Sequence, residues 1–172
     1  MTTQNNLDQD FEFRPIRADE ADQAADMEQA CFTKETAYPK NIVAANVTAH
    51  PDTILAAVDK KTGRVAGMLM TMFTNEEHYS DDFFKKTELH DPHGRNVMIT
   101  ALEVLPEYQH HGIARELMMR GLAKAKEEGK EKVYLTCADD KLGMYERMGY
   151  RRIGLSDSTW GNQSWHEMVQ EL

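Results

Sequence analysis

Cysteine is almost missing from this 172-residue chain: there are two, Cys31 and Cys137, far apart and in no C-x-x-C pattern. That scarcity excludes a disulfide scaffold and a cysteine-built zinc site, and it leaves two free thiols suited to a reducing compartment. Long apolar runs are missing too. None approaches the ~20 residues that a membrane helix needs, and no charged segment followed by an apolar core opens the chain. Positive charge is short: 20 Lys+Arg stand against 29 Asp+Glu, a net charge of −9. A nucleic-acid surface wants the opposite balance. An acidic protein suits a cationic or amine-bearing substrate better. Neither common phosphate loop is present, since G-x-x-x-x-G-K-[ST] is absent and no G-x-G-x-x-G follows a strand. The expectation is a cytoplasmic protein with no membrane, nucleic-acid or metal partner.

What is there reads as one ordinary globular domain, 41% hydrophobic and 28% charged, long enough to bury a core. The polar opening, residues 1–10, reads as a disordered tail. "FEFRPIR" (11–17) alternates as a half-buried strand does, and Asp19 stands where a helix over 19–32 wants an N-cap. Pro39 opens a second helix over 39–50. Strands over 53–59 and 64–74 flank "KKTG", whose Gly63 suits a tight turn. Residues 75–95, polar and dotted with aromatics, are too long for a plain loop and predict a lid or partial helix.

"NVMITALEV" (96–104) is nearly continuous apolar, as a strand buried on both faces is. A helix over 110–129 ends at Gly129, a strand follows at 132–137, and a helix over 139–149 ends at Gly149. Strands starting at 150 and spanning 164–172 complete the order β-α-α-β-β-β-α-β-α-β-β. That order implies an α/β (α+β) fold, with a mixed, mostly antiparallel sheet of about seven strands and helices on both faces.

The chemistry concentrates at 96–129. A buried strand, a turn, Gly112 and a long helix form a natural anion cradle, because a helix N-terminus leaves N–H groups unpaired and partially positive. Gly112 and the small Ala114 let the backbone approach a bulky anion. Helix packing alone also explains a Gly and an Ala there, so both readings stand on the residues themselves.

"LEVLPEYQHHGIARELM" (102–118) resembles the acetyl-CoA motif of the GNAT family of N-acetyltransferases, in which Q/R-x-x-G-x-G/A holds a pyrophosphate. Here the motif stands as Gln109-His110-His111-Gly112-Ile113-Ala114. "MYERMGYRRIG" (144–154) resembles that family's helix–strand element, which carries a tyrosine near the thioester sulfur. The likeness implies a GNAT-like three-layer fold, a single N-acetyltransferase domain over 11–172, acetyl-CoA as co-substrate, and direct transfer to a primary amine. Dimers are common in the family, so a homodimer is an expectation as well. A narrower likeness, through "LHDPHG" and "LTCADDKLGMYERMGY", is to the arylalkylamine (serotonin) N-acetyltransferase-like branch. The two catalytic histidines of that branch's animal enzymes fall at Met98 and Thr100 here.

Carried over, the resemblance assigns Leu102, Glu103 and Val104 to the pantetheine arm and Gln109, His110, His111, Gly112, Ile113, Ala114 and Arg115 to the pyrophosphate. Tyr145 becomes a cofactor-binding general acid, against a core-aromatic reading. Glu103, a carboxylate in an apolar strand, is a candidate base whose pKa burial would raise, or a member of a network behind the sheet. His90, His93 and Glu28 are further candidate bases. The acceptor is expected to be a small amine of the arylalkylamine or polyamine kind. A protein N-terminus or lysine, and a non-catalytic acyl-CoA-binding module, are the alternatives.

Overall fold

The structure, a computed structural model, describes residues 6–172 and sets seven strands in one sheet of order β1-β2-β3-β4-β5-β7-β6. The strands are β1 (Phe11–Pro15), β2 (Ile54–Asp59), β3 (Val65–Thr74), β4 (Asn96–Val104), β5 (Lys132–Cys137), β6 (Arg151–Leu155) and β7 (His166–Glu171). The helices are α1 (Leu7–Asp10), α2 (Ala21–Cys31), α3 (Lys40–Ala49), α4 (Asp82–Lys85), α5 (Ile113–Glu127) and α6 (Leu142–Arg147). Strand β4 runs parallel to β5, while β1–β2, β2–β3, β5–β7 and β6–β7 are antiparallel. The expected element order is met, with the short helices α1 and α4 in addition. The chain packs as two compact units, one comprising the residues up to Met70 with Ala101–Gly121, the other Thr71–Thr100 with Leu122–Leu172.

In the first unit the β2–β3 hairpin turns at Gly63, whose φ of +71° a side chain would oppose. One apolar core joins Ala24, Ala25 and Met27 of α2 to Val43 and Val47 of α3 and to Ile54, Ala56, Met68, Ala101 and Leu105. The start of α2 differs from expectation. Asp19 lies inside a 3-10 turn (Ala18–Glu20) and does not cap the helix. Glu20 precedes the helix, and its side chain turns back to close the 3-10 turn: its carboxylate accepts the Arg17 N–H at 2.9 Å and two bonds from Arg14 at 2.7 and 2.9 Å. A charge-assisted, two-pronged pair outcompetes a single short side chain. The expected tail is also corrected in part. Residues 1–5 lie outside the described residues, but Leu7–Asp10 forms a helical turn, held by Asp8 on Arg120 at 2.8 Å and by the Lys60 N–H on the Asp10 carbonyl at 2.9 Å.

The opposite face of this part of the sheet receives α5. A Cβ on Gly67 would lie 2.9 Å from the Glu103 carbonyl oxygen and 3.3 Å from side-chain carbons of Ile113 and Leu117. One on Gly121 would meet Leu69 at 2.4 Å. The missing side chains let helix and strand close on each other. The helix starts at Ile113, later than position 110, because His110 and Gly112 hold φ of +65° and +87° and lie outside helical space.

In the second unit, β5 and β7 pair from Lys132↔Glu171 to Cys137↔His166. The parallel register of β4 with β5 runs only from Asn96↔Lys132 to Met98↔Tyr134, and Ile99, Thr100 and Leu135–Cys137 continue their strands beyond it. The segment 75–95 is partly helical, through α4 and a 3-10 turn (Thr87–Leu89). The helix expected at 139–149 resolves into a 3-10 turn (Asp139–Lys141) and α6, stopped at Gly149 with φ +100°. Among the described residues no helix is long and apolar enough to cross a membrane.

Gly67→Ala is expected to cost about 1–3 kcal/mol, because its neighbour is backbone and cannot rotate away. Urea unfolding reads this, and unchanged stability would mean that α5 and β3 have room to part.

Candidate active site

The end of β4 carries the first half of the candidate site. Leu102 is half-buried, while Glu103 and Val104 are buried. The Val104 carbonyl accepts two hydrogen bonds, from the Gln109 amide at 3.0 Å and from the Cys31 thiol at 3.3 Å. Gln109 therefore braces the strand end with the side chain assigned to phosphate. A 3-10 turn (Pro106–Tyr108) follows, fastened to the hairpin by the Tyr108 hydroxyl on Asp59 at 2.7 Å and by Arg64 on Glu107 at 2.6 Å. Sequence alone does not reveal these fasteners, which join residues more than 40 apart.

From Gln109 to Gly112 the chain is exposed, and left-handed backbone at His110 and Gly112 turns it sharply into α5. Successive N–H groups in such alternating backbone form an anion-binding nest, and the first N–H groups of α5 add the helix terminus. Ile113 is buried and anchors the helix, Ala114 is half-buried, and Arg115 is exposed. Glycine at 112 carries the φ of +87° without strain. The donor set fits a pyrophosphate. His110 and His111 are exposed, and among the described residues no three His, Cys, Asp or Glu side chains converge as a metal site.

Glu103 faces Glu28 of α2. Both are buried, at 3% and 1% exposure, and both Glu103 oxygens and Glu28 Oε2 have no hydrogen-bond partner among the described residues. Glu28 Oε1 accepts the Tyr38 N–H at 3.0 Å. Burial first, then the Glu28 carboxyl, holds Glu103 well above the ordinary carboxylate range; burial raises Glu28 as well. The Cys31 thiol beside them is pushed up to about 12 by burial and by the Glu103 and Glu28 charges, so it is no thiolate at neutral pH.

The second unit carries Tyr145 on α6. The residue is half-buried, yet burial around its hydroxyl, with Cys137 nearby, lifts the phenol far above its usual value. Its ring meets Tyr150 edge-on at 5.9 Å. Cys137 is pushed up to about 11, mainly by burial and then by Asp140 and Asp139. Opposite Cys137 on β7 stands His166, which sequence reasoning overlooked. Its Nδ1 accepts from Arg152 Nε at 2.8 Å and its Nε2 contacts Asp139. The signal was there, since a histidine on an apolar alternating strand is buried and needs partners.

Two further candidate bases serve the loop. His90 Nδ1 accepts the Phe73 N–H at 3.0 Å, and His93 is exposed with its N–H on Asp91 at 2.9 Å. Residues 75–95 are fastened to β7 and to the chain before it: the Tyr79 N–H donates to Glu167 at 2.7 Å, Ser158 donates to Asp81 at 2.5 Å, and Lys85 lies 5.7 Å over Trp160.

Residues 17–150 match the model of the acetyltransferase (GNAT) family. No curated protein matches the chain. Among solved structures, the loading GNATL domain of CurA from Lyngbya majuscula is similar with a TM-score of 0.80 at 12% identity, over 94% of this chain and 97% of that one. The GphF GNAT-like decarboxylase in complex with isobutyryl-CoA gives 0.78 at 17%, over 93% and 98%. The ribosomal-protein-S18-alanine N-acetyltransferase from Escherichia coli gives 0.69 at 14%, over 94% and 93%. At such identities the likeness is one of fold.

The raised carboxyl pair has a consequence for stability. A carboxyl raised in the folded state stabilises fully below its unfolded value, near 4.3, and loses that contribution as pH rises toward the folded value. Glu103→Gln removes the loss. Its melting temperature relative to the parent is expected to rise between pH 5 and pH 8, by about 2–4 °C per kcal/mol relieved. A difference constant with pH in thermal unfolding would contradict a pair held partly neutral.

Proposed function

The chain belongs to the GNAT acetyltransferase family, and we propose that it moves the acetyl group of acetyl-CoA directly to a primary amine of a small molecule, of the arylalkylamine or polyamine kind. The observation that carries this reading is the exposed left-handed turn at His110 and Gly112 leading into α5. Its N–H groups, with Arg115, suit a pyrophosphate, and the backbone of Leu102, Glu103 and Val104 suits the pantetheine arm. Acetyl-CoA supplies the thioester carbonyl that is attacked and the thiolate that leaves. The amine nitrogen attacks that carbon, the C–S bond breaks, and the nitrogen sheds a proton to a base. Tyr145 keeps its proton at neutral pH, because burial raises its hydroxyl, and it gives that proton to the departing sulfur.

The acidic balance of −9 favours a cationic acceptor.

The test is an amine-panel assay following thiol release. Tyr145→Phe is expected to bind acetyl-CoA as the parent does while kcat falls about 10²-fold or more. Gly112→Val strains the turn by about 1–3 kcal/mol and is expected to weaken acetyl-CoA binding tenfold or more. Acetylation confined to peptide N-termini or lysines would move the acceptor class. Binding of acetyl-CoA with no acceptor at all, and with Tyr145→Phe indistinguishable from the parent, would make the chain a non-catalytic acyl-CoA module. A chain that binds no coenzyme A would sink the proposal.

A further inference from the structure

We propose that Gln109 and Cys31 are positioning residues that clamp the Val104 carbonyl, and that this clamp sets the span between the pyrophosphate turn and the strand end that holds the thioester. The inference rests on the acetyl-CoA reading and gives Gln109 a task other than holding phosphate.

Two contacts show which way the end of β4 points. The Leu105 N–H donates to the Ala66 carbonyl at 2.9 Å, and a Cβ on Gly67 would lie 2.9 Å from the Glu103 carbonyl oxygen. Both groups therefore face β3. Successive residues of a strand turn their N–H and carbonyl groups to opposite edges, so those of Val104 face away from β3. Two donors end on that carbonyl, Gln109 Nε2 at 3.0 Å and the Cys31 thiol at 3.3 Å. They come from separate parts of the chain. Cys31 is the last residue of α2, and Gln109 follows the 3-10 turn (Pro106–Tyr108).

A carbonyl oxygen has two lone pairs, and here both are taken. On the edge turned from β3 the capped carbonyl cannot accept from a ligand, and the Val104 N–H is the group that this residue can give. A thioester carbonyl that gathers negative charge needs such a donor, held in a fixed direction. Both clamping groups have firm footing. Cys31 packs against the core shared by α2 and α3, and so does Tyr108, next to Gln109. The Cys31 thiol stays a donor near neutral pH, because burial, then the Glu103 and Glu28 charges, keep it protonated.

Gln109 also sits at the start of the turn. It is exposed, so tying it back to the strand costs it rotamer freedom. The next residue is His110, whose φ of +65° begins the reversal into α5. One side chain thus joins the strand end to the anion turn. Acetyl-CoA is a long ligand held at both places, and its carbonyl is placed correctly only while their separation is kept. A displacement of about 1 Å can cost about 10²-fold in rate. Neither residue touches a reacting atom, since both act through the Val104 backbone.

Gln109→Met in the full chain tests the clamp, because it keeps the length of an exposed side chain and removes the donor. The probes are acetyl-CoA and 3′-phosphoadenosine 5′-diphosphate, the pyrophosphate-bearing half of coenzyme A. In calorimetric titration the variant is expected to bind acetyl-CoA about tenfold more weakly and the nucleotide half as tightly as the parent does. Cys31→Ala should weaken acetyl-CoA about threefold, as suits a weaker donor, and Cys31→Ser should restore the affinity. The double variant should lose more than the product of the single losses, since either donor alone still holds the carbonyl. A merely structural role would lower the melting temperature and leave the difference between the two probes in place. Equal weakening of both probes by Gln109→Met would make Gln109 a phosphate ligand and overturn the clamp, and so would unchanged binding of acetyl-CoA. A parent that binds acetyl-CoA but acetylates no amine sinks the transfer reading alone, and the binding comparison still judges the clamp.

Discussion

In the first unit Gly67 of β3 lies close against the Glu103 carbonyl of β4, with α5 lying across both through Ile113 and Leu117. Much else follows from that missing side chain. With Gly67 bare, α5 can sit directly on the sheet, and Gly121 repeats the device against Leu69. A helix set that deep brings its own start to the end of β4, because Ile113 is its buried anchor. The chain then has only Leu105 to Gly112 in which to leave the strand and enter the helix. Leu105 is tied by its N–H to the Ala66 carbonyl at 2.9 Å. So short a passage, ending against a seated helix, forces the reversal seen at His110 and Gly112. That turn is thus a by-product of tight helix–sheet packing.

Burial decides the protonation states of the groups around that scaffold. Cys31, Cys137 and Tyr145 are all lifted by desolvation, and all three remain neutral near pH 7. Neutral thiols make poor nucleophiles, which fits direct transfer to an amine better than a route through an acyl-cysteine. A neutral phenol, by contrast, is what an acid needs to be. The same desolvation raises both Glu28 and Glu103. A single physical effect therefore holds two thiols, a phenol and two carboxyls toward their neutral forms.

What could be read from the residues was whatever the backbone encodes locally. The apolar run of β4, the Gly112 turn, the amphipathic α5 and the Gly149 stop are short-range features, and periodicity or a single glycine betrays each. The missed features join distant residues. Glu28 and Glu103 meet only once α2 is packed on β4, and Tyr108 finds Asp59 only after the hairpin has formed. His166 gains Arg152 and Asp139 through the β5–β7–β6 pairing. Even the Asp19 expectation failed on a contact from another element, because Arg14 of β1 and the Arg17 N–H hold Glu20 in a 3-10 turn that takes in Asp19. Local propensity proposes such a cap, but tertiary charge pairing overrides it.

The positions on β4 make a last point about proton transfer. The two histidine positions of the narrower likeness are Met98 and Thr100 here, and Met98 is fully buried. A thioether can neither accept nor relay a proton, so Met98 offers no step in a relay. Strand alternation places Glu103 on the other face, with Ala101 and Leu105. A lone carboxylate there would titrate too low to hold an amine's proton, or would be driven neutral by burial and accept none. Glu103 is pushed toward the second of these limits, because burial and the neighbouring Glu28 carboxyl both raise it.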